Sequence, residues 1–236
     1  MLSLIVEGAL DLLWPCACLC CGEAIARPGF CPPCTALVTP RDGPRCARCD
    51  TALPTAGPAH ECGRCLARKP RFSRGFGVFD YAGPIGDAIR AAKYRRRPDG
   101  LPAVSRALVA ALPAALREDP PAAVVPVPLH LRRVLDRGID PPLELAAAVA
   151  RALGVPLAAH LLARTRDTPA QAGLSEVARR ANVRGAFSAR GASPGDVLLV
   201  DDVSTTGATL DAVARVVARA GAARVRVLAA AMVDRR

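Results

Sequence analysis

Aromatic side chains are scarce in this sequence: Phe, Trp and Tyr together make up 3% of the 236 residues. Proteins that bind single-stranded nucleic acid commonly stack successive bases on aromatic rings. The scarcity therefore counts against a base-stacking surface, although Phe72, Phe76, Phe79 and Tyr94 lie close to a basic segment.

Long apolar runs are also lacking, and so is a basic leader segment. The first residues, MLSLIVEGALDLLW, contain no Lys or Arg and include Glu7 and Asp11 within their apolar stretch, which is not the pattern of a secretory signal. No apolar run reaches the roughly 20 residues that a transmembrane helix needs. We therefore expect a cytoplasmic protein without membrane insertion, whose first residues form a short amphipathic helix packed on the rest of the chain.

Lysine is nearly absent, since Lys69 and Lys93 are its two occurrences, but arginine is abundant and the net charge is +11. We attribute this preference for arginine to compositional bias. The charge is uneven: residues 71–236 contain 25 Lys and Arg against 15 Asp and Glu, whereas residues 1–70 are nearly neutral. A basic second part suits a polyanion, either a small molecule bearing pyrophosphate or a nucleic acid. A solvated arginine-rich surface is the alternative.

Cysteine is absent outside residues 16–65, where eight of the ten cysteines form four Cys-X-X-Cys pairs. Two such turns direct four thiolates at one tetrahedral zinc ion. Sequential grouping gives two structural sites, although interleaved pairing also fits the spacing. The candidate ligands are Cys18, Cys21, Cys31 and Cys34 for one site and Cys46, Cys49, Cys62 and Cys65 for the other.

Cys16 and Cys20 remain outside these pairs, and Cys16 or His60 could replace one of the ligands. An iron–sulfur cluster is the rival cofactor, and disulfides are a weak alternative in a cytosolic chain. Four thiolates leave no position open to water, so we expect the zinc to be structural rather than catalytic. Residues 1–70 are thus expected to form an N-terminal helix and a double zinc-ribbon module, which metal stabilises because apolar residues are few.

Strands and helices are predicted to alternate in residues 71–236. Apolar runs predict strands at 75–83, 122–129, 196–202 and 223–233. Helical periodicity is found at 84–97, 101–116 with an interruption at Pro113, 141–154, the second half of 168–183, and 205–221. This alternation predicts an α/β domain with a mainly parallel sheet and helices on both of its faces.

The segment VLLVDDVSTTGATL, residues 197–210, ends an apolar run with Asp201 and Asp202 and continues with small residues around Gly207. Ligands of parallel sheets bind beyond the carboxyl ends of the strands. Carboxylates there can accept hydrogen bonds from ribose hydroxyls or bind a hydrated Mg²⁺, and the free N–H groups at the start of the next helix favour a phosphate. The loop contains no lysine, which excludes a P-loop. The segment therefore predicts a cradle for a ribose 5-phosphate.

This segment resembles the phosphoribosyl pyrophosphate (PRPP) signature of type I phosphoribosyltransferases. Further segments are similar, nearly end to end, to the ComF-type proteins associated with competence for DNA uptake: LLWPCACLCCG, FDYAGPIGDAIRAAKYRRRPDG, VVPVPLHLRRVLDRGID and LLARTRDTPAQAGLSEVARRANVRGAF. The resemblance implies a type I phosphoribosyltransferase-like fold after a double zinc ribbon. One departure is that Ile139, Asp140 and Pro141 follow Arg137-Gly138, where the family usually has an aromatic residue, Asn and Gln, which suggests altered substrate handling.

The resemblance also implies roles for individual residues. Asp201 and Asp202 would engage the ribose hydroxyls of PRPP, Arg133 and Arg137 would hold its pyrophosphate, and Mg²⁺ would bridge the two groups. Asp201, Asp202 and Arg137 are the candidate catalytic residues. The 5-phosphate would be bound by the loop of Val203, Ser204, Thr205, Thr206, Gly207, Ala208 and Thr209. Some residues of a further family motif are expected over the site, and this motif comprises Arg164, Thr168, Gln171, Arg180 and Asn182. Lys93 and residues 94–97 resemble a hood segment of the family, and an exposed charge run is the alternative.

Two functions follow from these patterns. The first is a PRPP-dependent transferase that displaces pyrophosphate from the anomeric carbon with a nitrogen nucleophile. The second is a binding protein that retains the PRPP cradle as a nucleotide sensor and engages single-stranded DNA or competence proteins. The sequence specifies neither an acceptor nor an oligomeric state.

Overall fold

The computed structural model describes residues 16–55, 57, 59–94, 99–168 and 176–233. The helix predicted within the first residues, Gln171 and residues 95–97 lie outside the described residues. Within the described part of the chain, no helix combines the length and the apolar character needed to cross a bilayer.

Residues 16–70, which we call the cysteine module, contain short elements. They are β1 (Cys16–Ala17), β2 (Ala24–Ile25), α1 (Pro32–Ala36) and α2 (Gly63–Ala67). β1 and β2 pair antiparallel. Both helices begin directly after a cysteine, because Cys31 and Cys62 are their N-cap residues. The chain therefore reverses direction at the cysteine pairs, and the sulfurs of each group converge.

The rest of the chain alternates between strands and helices, as predicted. The elements are β3 (Arg74–Asp80), α3 (Gly83–Tyr94), α4 (Gly100–Ala110), α5 (Ala114–Glu118), β4 (Ala123–Pro126), α6 (Leu131–Arg137), α7 (Pro141–Leu153), β5 (Leu162–Arg164), α8 (Glu176–Val183), β6 (Phe187–Ala189), β7 (Asp196–Ser204), α9 (Ala208–Arg219) and β8 (Arg224–Met232). Within the described residues, the main sheet has the order β3-β8-β7-β4 and is parallel throughout. β5 and β6 form a separate antiparallel pair.

Apolar side chains on both faces of β7 explain why helices cover both faces of the sheet. Leu198 and Val200 lie in one hydrophobic cluster with residues of α3, α4, α5 and α7. Val197 and Leu199, which point to the opposite face, lie in a second cluster with residues of α9. Successive side chains of a strand alternate between faces, so the unbroken apolar run in this strand is what two helix layers require. The predicted fold class is confirmed.

Three details differ from the predicted elements. β7 continues through Ser204 instead of ending at Asp202, because its pairing with β8 extends to the pair Ser204 and Met232. The helix expected from residue 205 begins at Ala208, since Gly207 has a left-handed backbone (φ 72°) that precedes the first turn. α6 and the β5–β6 pair were not predicted.

β3 is an edge strand of the main sheet, since within the described residues it pairs with β8 on one side and with no strand on the other. The cysteine module covers this outer edge. The Gly75 N–H donates to the carbonyl of Arg48 (2.6 Å), and the Gly77 N–H donates to Oδ2 of Asp50 (2.7 Å). The Arg41 N–H in turn donates to the carbonyl of Val78 (2.8 Å). An exposed strand edge is a template for unwanted pairing, and these contacts remove it.

Candidate functional site

The acid pair lies where β7 extends beyond its neighbour β4. The last register pair between the two strands joins Pro126 to Val200, whereas pairing with β8 continues on the other side. Asp201 and Asp202 are therefore the first residues of β7 that have no β4 residue beside them. This is the edge at which parallel sheets bind ligands.

Both acidic residues are buried, with 8% of Asp201 and 5% of Asp202 exposed. Lys93, in the last turn of α3, places its Nζ 2.7 Å from Oδ2 of Asp202, and the Lys93 side chain is itself only 14% exposed. Oδ1 of Asp201 accepts a hydrogen bond from the Asp202 N–H (2.9 Å). The sequence led us to expect carboxylates that emerge at the sheet edge. Instead the pair is enclosed, and Lys93 covers one of its two members.

The electrostatics of the pair follow from this enclosure. Burial and the neighbouring Asp202 charge raise the pKa of Asp201 to about 8, even though Lys93 acts in the opposite direction. Burial lowers the pKa of Lys93, but the charges of Asp202 and Asp201 outweigh that effect and hold the pKa above its ordinary value. The enclosure thus raises the pKa of Asp201, whereas the paired carboxyl groups keep Lys93 in its charged form.

The expected phosphate loop connects β7 to α9. Gly207 has a positive φ of 72°, and a Cβ added there would meet no atom within 4 Å, so the backbone side of the loop is open. Oγ1 of Thr206 accepts a hydrogen bond from the Ala208 N–H (3.2 Å), which caps the helix start. Thr205, Thr206 and Gly207 are half-buried, and Ser204 and Ala208 are buried. The loop thus places small hydroxyl groups at the positive end of a 12-residue helix.

The cysteine module borders this loop. Two cavities, of about 50 and 20 Å³, lie between them, and both are lined by Thr206, Gly207, Arg64 and Phe72. Arg64 follows Cys62 within the second cysteine group, and its Nη2 donates to Oγ1 of Thr51 (3.1 Å). No sequence pattern connects Arg64 with the phosphate loop, because the two segments are about 140 residues apart in the chain.

The expected pyrophosphate arginines lie on α6, which follows the loop after β4. Nη2 of Arg133 donates to the carbonyl of Thr168, and Nη2 of Arg164 donates to the hydroxyl of the same threonine. The guanidinium carbon of Arg137 lies 5.9 Å from the ring centroid of Tyr94, the residue after Lys93. Burial and the nearby Arg133 charge lower the pKa of Arg164. The structure therefore brings Arg133, Arg164 and Thr168 together.

The remaining motif residues are less informative. Asn182 is half-buried on α8, and the side chain of Arg180 lies outside the described part of the structure. Oδ1 of Asp140 accepts a hydrogen bond from the Leu143 N–H (3.2 Å) and caps α7. Burial and the charges of Asp202 and Glu144 raise the pKa of Asp140. The residue that departs from the family pattern thus begins a helix and adds an acidic group near the acid pair.

The cysteines form the two sequential groups that we expected. In each group the four sulfurs lie within 4.8 Å of one another. The Sγ atoms of Cys21 and Cys31 are 3.6 Å apart, and those of Cys49 and Cys62 are 3.7 Å apart. A tetrahedral zinc ion with Zn–S bonds of about 2.3 Å separates its sulfurs by about 3.8 Å. Each group therefore could hold one zinc ion.

Backbone donors prepare one thiolate in each group. Burial raises the pKa of Cys18, but the N–H groups of Cys21, Cys31 and Cys20 overcome this and lower it to about 6. In the same way, N–H groups of the second site lower the pKa of Cys46 to about 7, including that of Cys62, which lies 3.2 Å from the sulfur. Thiolates are the ligand form of cysteine. Both sets fit a metal with four sulfur ligands.

Comparison with known proteins adds sequence evidence to this geometry. A model of the phosphoribosyl transferase domain matches residues 142–236. The chain is 34% identical over 208 residues to DNA utilization protein YhgH of Salmonella typhimurium, covering 86% of this chain and 90% of that protein. It is 30% identical over 210 residues to Competence protein F of Haemophilus influenzae, with the same two coverages. The structure of a purine phosphoribosyltransferase from Pyrococcus horikoshii matches 55% of this chain and 73% of its own chain, at 23% sequence identity and a TM-score of 0.37.

Proposed function

This chain belongs to the ComF-type family of competence proteins, and from that premise we propose that it binds PRPP and transfers its phosphoribosyl group to a nitrogen acceptor. The observation that supports the proposal best is the juxtaposition of Asp201 and Asp202 with the open phosphate loop at one edge of a parallel sheet. The pair supplies acceptors for ribose hydroxyls, and the loop supplies N–H donors for a 5-phosphate.

In the proposed reaction, each residue positions a part of the substrate. The carboxylates orient the ribose, the N–H groups of the loop fix the 5-phosphate, and Arg133 and Arg137 balance the charge of the departing pyrophosphate. The anomeric bond breaks with its electron pair on pyrophosphate, and the nitrogen nucleophile forms the new bond. Catalysis then depends mainly on positioning and charge stabilisation. A divalent cation that accompanies PRPP would be held by the carboxylates of Asp201 and Asp202, and it would help to neutralise the charge of the pyrophosphate.

Pyrophosphate release tests the enzymatic proposal. We would incubate the zinc-loaded full chain with PRPP, Mg²⁺ and candidate acceptors, namely nucleobases, amines and single-stranded DNA. Release that depends on one acceptor and is lost in Asp201→Asn with Asp202→Asn supports the transferase. Absence of release with every acceptor class, from a protein that still binds PRPP, would instead favour a sensor.

A basic groove favours single-stranded DNA binding as a second candidate function. A cavity of about 280 Å³ is lined by Arg68, Arg184, Arg215 and Arg219. It shares Arg68 and Arg215 with an adjoining groove of about 620 Å³, whose further basic residues are Arg48, Lys69, Arg71 and Arg224. The groove runs between the cysteine module and α9. Such clusters bind nucleic-acid phosphates with an affinity that falls as the salt concentration rises.

Charge reversal separates this function from PRPP binding. We expect Arg68→Glu with Arg219→Glu to weaken binding of an oligothymidylate and to reduce the slope of log K against log salt by about 0.7 for each lost phosphate contact. Arg106→Glu with Arg117→Glu, on the opposite face of the sheet, makes the same change in net charge and is the control. Equal losses in both double variants would exclude the groove.

A further inference from the structure

The contact between Lys93 and the acid pair joins groups that are distant in the sequence. Lys93 Nζ and Asp202 Oδ2 are 2.7 Å apart, and their side chains are 14% and 8% exposed. Lys93 is the last but one residue of α3, and Asp202 lies on β7. A charge-assisted pair at this distance, largely withdrawn from water, is held much more strongly than an exposed ion pair.

The ammonium group contacts a carboxylate oxygen of the kind that a divalent cation also binds. Mg²⁺ binds carboxylate oxygens at about 2.0–2.1 Å and keeps several waters, and the two adjacent carboxyl groups of the acid pair provide such oxygens. In this structure one of those oxygens, Oδ2 of Asp202, already contacts a cation. A metal or ribose hydroxyl that uses the same oxygen must first separate it from Lys93.

The identity of this residue supports a specific role. The chain has 32 Lys and Arg, of which Lys69 and Lys93 are the two lysines, so the residue at the acid pair differs from the prevailing cation. An ammonium group is a compact charge that can rotate away on a flexible stem, whereas a guanidinium forms fixed bidentate pairs with a carboxylate. A lysine therefore suits a contact that has to be released.

We propose that Lys93 is an internal cation of the acid pair, which occupies Asp202 in the ligand-free chain and competes with the divalent metal that accompanies a ribose phosphate. This inference rests on the proposed function, since it takes the acid pair as the ligand site. Lys93 is a positioning residue: it keeps the buried carboxylate charge-balanced until ligand and metal displace its side chain.

Metal binding without any ribose phosphate tests this proposal directly. Mn²⁺ prefers the same oxygen ligands as Mg²⁺ and can be titrated by electron paramagnetic resonance into the zinc-loaded full chain. All variants are titrated in the same buffer at one pH, so that a difference in Mn²⁺ affinity reports the substitution alone. Lys93→Met should bind Mn²⁺ about tenfold or more tightly than the wild type, because a charged competitor is gone.

Matched variants distinguish this result from a general loss of positive charge. Arg90→Met removes a cation that is paired with Asp87 (2.7 Å) one turn earlier on the same helix, and it should leave Mn²⁺ affinity unchanged. Lys93→Arg keeps the charge and can pair bidentately with Asp202, so it should bind Mn²⁺ no more tightly than the wild type. Asp202→Asn added to Lys93→Met should abolish the gain. If Lys93→Met does not fold, Lys93→Gln replaces it, because glutamine keeps a hydrogen-bond donor without the charge.

The outcomes of this proposal and of the proposed function are separable. If the wild type binds PRPP but Lys93→Met and Arg90→Met have the same Mn²⁺ affinity, the role of Lys93 is overturned alone. If the wild type fails to bind PRPP, the proposed function is overturned whatever the Mn²⁺ titration gives.

Discussion

Loss of the proposed zinc ion from the second cysteine group should expose one edge of the sheet. Cys46→Ser removes a ligand from the cysteine group beside Arg48 and Asp50. The backbone carbonyl of Arg48 accepts a hydrogen bond from the Gly75 amide, and the carboxylate of Asp50 accepts one from the Gly77 amide. A neutral hydrogen bond contributes about 1 kcal/mol and one to a charged group about 1.5–3 kcal/mol. The edge therefore loses about 3 kcal/mol of local stability, which corresponds to about 100-fold faster amide exchange because each 1.36 kcal/mol is a factor of ten.

Native-state hydrogen exchange measured by NMR gives this comparison with internal controls. The Ser73 and Tyr81 amides at the two ends of β3 donate to Val225 and Met232 on the β8 side, at 2.8 and 2.7 Å. Their exchange should change much less than that of Gly75 and Gly77. If all four amides accelerate equally, the variant has lost global stability. If none changes, the metal site does not hold this edge, and the reasoning is refuted.

Three further predictions concern stability and composition. Asp196→Ala should lower the free energy of unfolding by about 2–3 kcal/mol, since Oδ2 of Asp196 accepts a hydrogen bond from the buried Arg226 (2.8 Å). Removal of the exposed Asp119 carboxylate should have a smaller effect in the same urea titration, and equal losses would contradict this prediction. The pKa of Asp201 is raised from 3.8 to about 8, so the folded state holds a proton that the unfolded state releases. The free energy of unfolding should therefore fall as the pH rises across that interval. Asp201→Asn should remove this pH dependence, and parallel pH profiles for the two proteins would contradict the prediction. Elemental analysis should find two zinc atoms per chain, and a count of one or none would remove the two-site assignment.

The sequence predicted the parts of this fold that depend on local patterns. The strands of the main sheet are mostly apolar, although Arg226 interrupts the apolar run of β8. Pro113 divides the predicted helix at 101–116 into α4 and α5, as expected. α6 was missed because it is short: we assigned its seven residues to the loop after β4, although Leu131, Val134 and Leu135 have the i, i+3, i+4 spacing of an apolar helix face. None of its residues is buried, and Leu131 and Leu135 are exposed.

The contacts of the site were harder to predict, because they join distant segments. The acid pair and the phosphate loop are contiguous in the chain and were found from their pattern. The partner of Asp202 is Lys93, and the cavities beside Gly207 are lined by Arg64, which the chain brings there only through tertiary packing. Two signals singled out Lys93, namely its resemblance to a hood segment and the rarity of lysine, which we had attributed to composition, but neither of them paired it with Asp202.

The most direct test of the central claim is calorimetric titration of PRPP with Mg²⁺ into the zinc-loaded chain. We expect measurable binding of PRPP by the wild type and a loss of affinity of about 100-fold or more in Asp201→Asn with Asp202→Asn, since each charged hydrogen bond contributes about 1.5–3 kcal/mol. Circular dichroism should show that the double variant keeps an intact fold. Undiminished affinity in the folded double variant would contradict it.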